Sequence, residues 1–325
     1  MTGPILICGV GSIGTRHIRN LNDMGFHDIV LYRRPESKIL REFEMLPTFT
    51  SLESALETNP RIAFVCNPTS LHLKTAIACA KAGCDLFIEK PLGSSFEEVI
   101  ELQKVLRNTG KKCYVGYMMR FHPCIKRIEE WVKEDMVGDL IHGTFHWGEY
   151  LPNWHPYEDY RISYAGQKSM GGGPVLTLSH DIELATHLFG SVERFFCMGN
   201  SKSTLEIDTE HLVTILLRFK GGATASLNLN YLENPPHRVI NILGDKCKID
   251  FDYYDSKAIL YSQKDAKILD HIDVGDVFDR NQLFVDQLDF FMNTFIEQDI
   301  EIDNFESSLN VMKLSVDINA ALGSG

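Results

Sequence analysis

The stretch ILICGVGSIG, residues 5–14, constrains the fold more than any other. Four apolar residues read as a strand covered on both faces, and a G-x-G-x-x-G follows with no spacer. The pattern predicts a helix over 12–24, ending near Gly25, and a second strand over 28–33. Each glycine has its own task. Gly9 permits a tight turn, Gly11 lets the backbone approach a pyrophosphate, and Gly14 lets the helix pack closely on the strand. The free N–H groups of the first helical turn, at Ser12 and Ile13, and the positive end of the helix dipole then receive the phosphates. Strand, glycine turn, helix and second strand in that order predict a dinucleotide-binding unit.

The alternation continues. Strands are expected over 61–66, 85–88 and 112–116, and helices over 37–44, 71–82 and 95–108. Strands of nearly unbroken apolar character between helices imply a parallel sheet covered on both faces. After about Arg120 the pattern changes to longer strands over 140–150, 211–219, 223–232, 238–243 and 246–253, with helices over 123–133, 176–188, 282–295 and 308–322. Short turns such as Gly221-Gly222 and Asn234-Pro235-Pro236 imply antiparallel pairing. The expected fold class is α/β plus α+β. A Rossmann doubly wound parallel sheet spans residues 1–120, and a substrate-binding and oligomerisation domain of open, mostly antiparallel sheet and helices spans 121–325. A length of 325 residues suits two domains of roughly 150 residues each.

Many NAD enzymes hold the ribose 2′-hydroxyl with a carboxylate at the end of the second strand. Here that place reads Tyr32-Arg33-Arg34-Pro35. The guanidinium groups of Arg33 and Arg34 suit a 2′-phosphate, so NADP is favoured over NAD, with Glu36 as the residue that still could reach a ribose. The formal net charge of -12 argues against nucleic acid as a partner. No C-x-x-C or other metal-type spacing occurs among the 8 cysteines, several of which lie in apolar runs; buried thiols in a reducing compartment and no metal are expected. Neither a leader-like nor a membrane-length apolar segment is read, so a cytoplasmic protein is expected. No G-x-S-x-G or P-loop pattern supports a hydrolase or a kinase.

Further motifs carry a resemblance. Asn67-Pro68-Thr69-Ser70-Leu71-His72 follows a strand, and CDLFIEKPL ends in Glu89-Lys90-Pro91. GYMMRFHP covers 116–123, and GGGPVLTLSHDIELATHLFG covers 171–190. With the glycine motif, and in this order, they resemble the Gfo/Idh/MocA family of glucose-fructose oxidoreductase, inositol dehydrogenase and their relatives. The resemblance implies that Lys90 reaches the nicotinamide ribose and the reacting hydroxyl. It implies that Pro91 shapes that turn, often through a cis bond. Asn67, Pro68, Ser70, His72, Glu89 and Arg120 match positions lining the cofactor, and His180 matches the active-site histidine at the start of a helix. The chemistry fits these types. A lysine desolvated beside a positive nicotinamide ring has its ammonium form disfavoured and can take a hydroxyl proton, and a histidine can share it. Many relatives carry an aspartate four residues before that histidine. This chain has Leu176 there, Thr177 beside it is no carboxylate, and Asp181 points elsewhere on the helix. Relatives acting on nucleotide-linked or cell-surface sugars often vary in this way.

Residues 149–161, EYLPNWHPYEDYR, read as an aromatic and polar loop. Trp154 and Tyr160 offer faces for a sugar, and His155 and Arg161 can hold hydroxyls, a carboxylate or a phosphate. Lys90 and His180 complete the expected substrate contacts. His142 and His146 stand too far apart on a strand for a zinc pair. His187 and Met118-Met119 read as packing residues. The function expected is hydride transfer between nicotinamide and a carbinol or ketone carbon of a sugar, sugar acid or nucleotide-sugar. The alternatives are a catalytically silent NAD(P)-binding sensor, which retention of Lys90 disfavours, and a dihydrodiol-dehydrogenase-like or cyclic-imine reductase, which the polar loop disfavours. The resemblance also implies a homodimer or homotetramer joined through the open face of the second sheet.

Overall fold

The run Ile5–Cys8 (β1) is buried along its whole length. In the computed structural model, which describes residues 3–36, 39–155, 158–298 and 304–323, it lies near the middle of a six-stranded sheet. Chain order is β1, α1 (Ser12–Asp23), β2 (Ile29–Tyr32), β3 (Thr48–Phe49), α2 (Leu52–Leu56), β4 (Ile62–Val65), α3 (Thr69–Lys81), β5 (Asp85–Glu89), α4 (Phe96–Thr109) and β6 (Cys113–Gly116). Strand order is β3-β2-β1-β4-β5-β6, and every pairing is parallel. That is the dinucleotide-binding order, with its switch point between β1 and β4. Local chemistry sets the helix ends: the Ser95 hydroxyl accepts the Glu98 N–H at the start of α4, and Gly110 closes it in the left-handed conformation at φ 65°.

Two sequence expectations need correction here. The helix expected over 37–44 is a single 3-10 turn at Arg41–Phe43, with Ser37 and Lys38 outside the described residues. Of that turn only Phe43 is buried, so there is no apolar stripe to hold a longer helix. The chain also does not divide cleanly at residue 120. Residues 1–116 form one unit together with 284–313, and residues 117–283 form the other together with 314–325. The physical reason is aromatic packing. Phe291 meets Phe64 at 5.7 Å and Phe87 at 5.2 Å between ring centroids, and Leu288, Met292 and Phe295 join the same core.

The second unit follows α5 (Pro123–Lys133) with β7 (Leu140–Gly148), α6 (Pro174–Thr177), α7 (His180–Phe189), β8 (Val192–Asn200), β9 (Leu212–Phe219), β10 (Thr224–Asn230), β11 (His237–Gly244), β12 (Cys247–Asp252), β13 (Lys257–Ser262) and β14 (Ile268–Asp273). Its sheet runs β14-β13-β12-β11-β7-β10-β9-β8. All pairs are antiparallel except β7 with β10, which a long connection makes parallel. The chain then continues through α8 (Arg280–Asp289), a π-helix at Phe290–Ile296 and α9 (Asn304–Leu322). The helix expected over 176–188 is two helices, α6 and α7, separated at Leu178 and Ser179. Alternation along β7 turns Phe145 and Trp147 inward, with Phe145 against Phe189 and Trp147 against His180 of α7. It leaves His142, Thr144 and His146 on the other face. Seven of the eight cysteines are buried, and all are free thiols. No helix among the described residues is long and apolar enough to cross a membrane.

Candidate active site

In the first unit the motif residues meet at the carboxyl ends of the parallel strands. Gly9 turns at φ 106°, and a Cβ there would lie 2.7 Å from the Asn67 N. A Cβ on Gly14 would lie 2.0 Å from the Gly9 carbonyl oxygen, so only glycine lets α1 start this close to β1. Around Gly11 a Cβ would meet nothing within 4 Å. No side chain caps α1 and no acidic residue occupies its first turn, which leaves the N–H groups at Ser12 and Ile13 open to a phosphate. Asn67 donates its Nδ2 to Thr75 Oγ1 at 2.7 Å, while its buried Oδ1 has no partner among the described residues. An open cradle and an orphaned acceptor at one row of strand ends fit a dinucleotide.

The turn bearing Lys90 is tied down from two sides. Both ring nitrogens of buried His72 face carbonyl oxygens, Nδ1 toward Pro91 at 2.9 Å and Nε2 toward Asn67 at 2.7 Å. His72 thereby links the loop after β4 to the loop after β5, and burial pushes its pKa down. On the other side His17 Nε2 of α1 lies 2.6 Å from Glu89 Oε1, enclosed by Phe64, Phe87 and Phe284. Lys90 is half-buried, and its bond to Pro91 is cis. Pro68 and Ser70 sit at the start of α3, both half-buried. At the tip of β2, Arg33 Nη1 donates to the carbonyls of Arg34 and Pro35 at 3.0 and 2.8 Å, and Arg34 pairs with Glu36 at 3.3 Å.

The second unit builds a site around His180, the first residue of α7 and 2 % exposed. Tyr117 meets its ring edge-on at 5.8 Å, and Trp147 lies at 6.2 Å. Burial, with the Glu183 carboxylate nearby, pushes the Tyr117 phenol far up. Arg120 Nε donates to buried Glu183 Oε1 at 2.6 Å. Beneath the helix start, buried Arg238 stacks at 3.8 Å on Trp147 and pairs with buried Asp181. Burial pushes the Asp181 carboxyl up, and Arg238 opposes the shift. Leu176 is buried, and Thr177 donates to the Gly173 carbonyl at 2.8 Å and bonds the Tyr231 hydroxyl. Neither residue supplies the missing carboxylate.

The 149–161 loop lies in this unit too, with Pro156 and Tyr157 outside the described residues. Trp154, His155, Tyr160 and Tyr164 line a small cavity. Trp154 packs edge-on to Tyr231 at 5.4 Å, and its buried Nε1 has no partner among the described residues. Arg161 differs from the rest: it is exposed and ion-paired to Asp159 at 2.7 Å and Glu206 at 2.9 Å. Sequence reasoning missed His17, Glu183, Trp147 and Arg238. Their partners lie far along the chain, 72 residues for His17 with Glu89 and 57 for Arg238 with Asp181, and no local pattern marks such pairs.

The sequence family described as the oxidoreductase family with an NAD-binding Rossmann fold matches residues 4–117, and the GFO/IDH/MocA C-terminal domain matches residues 125–250. The chain belongs to the Gfo/Idh/MocA family. Among its relatives, 2,7-anhydro-N-acetylneuraminate hydratase of Escherichia coli K12 is 24% identical over 261 residues, covering 78% of this chain and 68% of that one. Myo-inositol 2-dehydrogenase of Thermotoga maritima is 28% identical over 268 residues, covering 76% and 74%. A solved levoglucosan dehydrogenase in complex with NADH and levoglucosan superposes with a TM-score of 0.84 at 17% identity, covering 100% of this chain and 98% of that one. The likeness in fold to that structure therefore extends beyond the two matched segments.

Proposed function

We propose that this protein is an NAD(P)-dependent oxidoreductase acting on a CH–OH group of a sugar, sugar acid or nucleotide-sugar. The observation that carries the reading is Lys90 at the carboxyl end of β5, in the same row of strand ends as the open glycine cradle. When bound, nicotinamide supplies the two-electron chemistry. Lys90 is the group of the first unit that holds or takes the proton of the substrate hydroxyl, and within the second unit His180 is the candidate proton carrier. His72 and Glu89, the latter against His17, hold the Lys90 turn in place. Asn67 Oδ1 and the N–H groups after Gly11 receive the cofactor. Trp154, His155 and Tyr160 form the sugar-facing wall of the second unit, and Arg161 holds that wall through Asp159 and Glu206. The names of the relatives, an inositol dehydrogenase and a levoglucosan dehydrogenase, support a polyhydroxylated substrate.

NADP is the proposed cofactor, because the end of β2 carries Arg33 and Arg34 and no carboxylate. Fluorescence titration should give a lower Kd for NADPH than for NADH, with Arg34→Ala raising the NADPH value alone. Tighter NADH binding would overturn the preference and leave the oxidoreductase reading standing. Assembly as a homodimer or homotetramer through the open sheet face is proposed from Phe196, Met198 and Leu216, which are 65%, 78% and 51% exposed on the adjoining strands β8 and β9. Light scattering at the mass of one chain would overturn it. Because one relative is a hydratase, the activity test should follow product structure by NMR alongside reduced-nicotinamide absorbance.

A further inference from the structure

On the face of the second sheet turned away from α7, three potential metal ligands converge from two strands and a turn. His146 of β7 and His237 of β11 are diagonal neighbours, because the register pairs Val239 with His146 and His237 with Gly148. Diagonal pairs across antiparallel strands lie within reach of long side chains, and these two rings stand 5.0 Å apart. Between them sits the Glu233 carboxylate, with Oε1 2.7 Å from His146 Nε2 and Oε2 4.0 Å from His237 Nδ1. Two features place that carboxylate. Asn230 Nδ2 donates to Oε1 at 2.7 Å, and Gly148 leaves the room it fills, since a Cβ there would lie 2.2 Å from it.

We propose that His146, Glu233 and His237 form a binding site for a divalent transition-metal ion of the zinc class. Two imidazoles and a carboxylate are a borderline donor set that suits Zn²⁺, and three protein ligands leave a position for water or a further donor. The three ligand atoms already lie within 4.8 Å of one another. Bonds of about 2.0–2.1 Å at tetrahedral angles need them about 3.4 Å apart. His237, whose side chain is 53% exposed, moves in to close the longer separation, and the 2.7 Å contact between His146 Nε2 and Glu233 Oε1 opens to admit the ion. The ion takes the place of the proton between His146 Nε2 and Glu233, and that proton passes to solvent. Strand alternation gives the site a route to the other face: His146 precedes Trp147 and His237 precedes Arg238, the stacked pair beneath His180. The bound ion staples β7, β11 and the turn at 231–236, and so stiffens the strands that carry Trp147 and Arg238 beneath His180.

Tag-free, chelator-stripped protein titrated with Zn²⁺ in a calorimeter, and with Co²⁺ by visible absorption, tests the site. The proposal expects one ion per chain with micromolar or tighter affinity, tetrahedral Co²⁺ bands, and a thermal midpoint raised by the ion. Glu233→Gln and His237→Gln, checked for native circular dichroism, should each weaken binding by about tenfold or more. His142→Ala, on the same face but bonded to Thr224, should bind as the parent does. Absence of saturable binding by the parent protein would overturn the proposal, as would equal binding by the two site variants.

Discussion

A Cβ on Gly14 would lie 2.0 Å from the Gly9 carbonyl oxygen, and no movement of a flexible side chain would relieve that contact. Gly14→Ala should therefore weaken dinucleotide binding by about tenfold or more while the second unit stays folded, as fluorescence titration of NAD(P)H and circular dichroism would report. Arg238 poses the opposite problem, a buried charge whose partner depends on it. Arg238→Leu leaves Asp181 buried and unpaired, at a cost of about 3–5 kcal/mol. Urea unfolding measures this, and the double variant Arg238→Leu with Asp181→Asn should recover part of the loss. The two residues also mark what a sequence reveals. Gly14 announces its role because its partner Gly9 is in the same motif. Arg238 reads as an ordinary polar residue on a strand, because Asp181, Trp147 and Tyr253 reach it only through the fold.

At the scale of elements, α5 begins on a histidine that sequence inspection passed over. His122 Nδ1 accepts the Cys124 N–H at 3.1 Å, and its ring is fully buried among Phe251, Tyr253 and Phe278. Burial, with Arg238 nearby, pushes its pKa down to about 3 from an ordinary 6.5. Above about pH 6.5 the ring is neutral in folded and unfolded chains alike. Below that, the unfolded chain takes up a proton the folded one refuses, so stability falls from pH 6.5 toward pH 3, by an amount on the order of a few kcal/mol. His122→Asn keeps a capping oxygen and removes the titration. Its unfolding free energy should vary less steeply with pH over that window than the parent's. The elements that sequence placed well, β1, α1 and α3 to α5, each carry a local signal: an apolar run, a glycine or a proline at an end. The paired helices α6 and α7 read as one because the apolar pattern of 174–189 continues through Leu178, where the backbone turns out of register.

Across the whole molecule, the first unit closes only when the chain returns at 284–313. That segment was invisible as part of the first unit, since aromatic residues such as Phe291 and Phe295 state that they will be buried and not against what. Phe291→Ala should destabilise the first unit by about 3–5 kcal/mol. NAD(P)H protection against unfolding should fall with it, although residue 291 lies far along the chain from the glycine motif. The candidate site divides in the same way. The cofactor half was legible because its residues are consecutive in motifs. The half proposed to face the substrate was legible only as a loop rich in aromatics, and its supports, Tyr231 and Glu206, came from a strand end and a connection further on.

The central claim is tested most directly by turnover of the parent protein and Lys90→Ala with NADP or NAD and a panel of inositols, sugar acids, anhydro-sugars and nucleotide-sugars, read by absorbance of reduced nicotinamide and by NMR of the products. The account predicts turnover of at least one polyhydroxylated substrate by the parent. It predicts a loss of about 10²–10⁴-fold in kcat in the variant, with dinucleotide binding retained. Turnover that survives Lys90→Ala at the parent rate would contradict it.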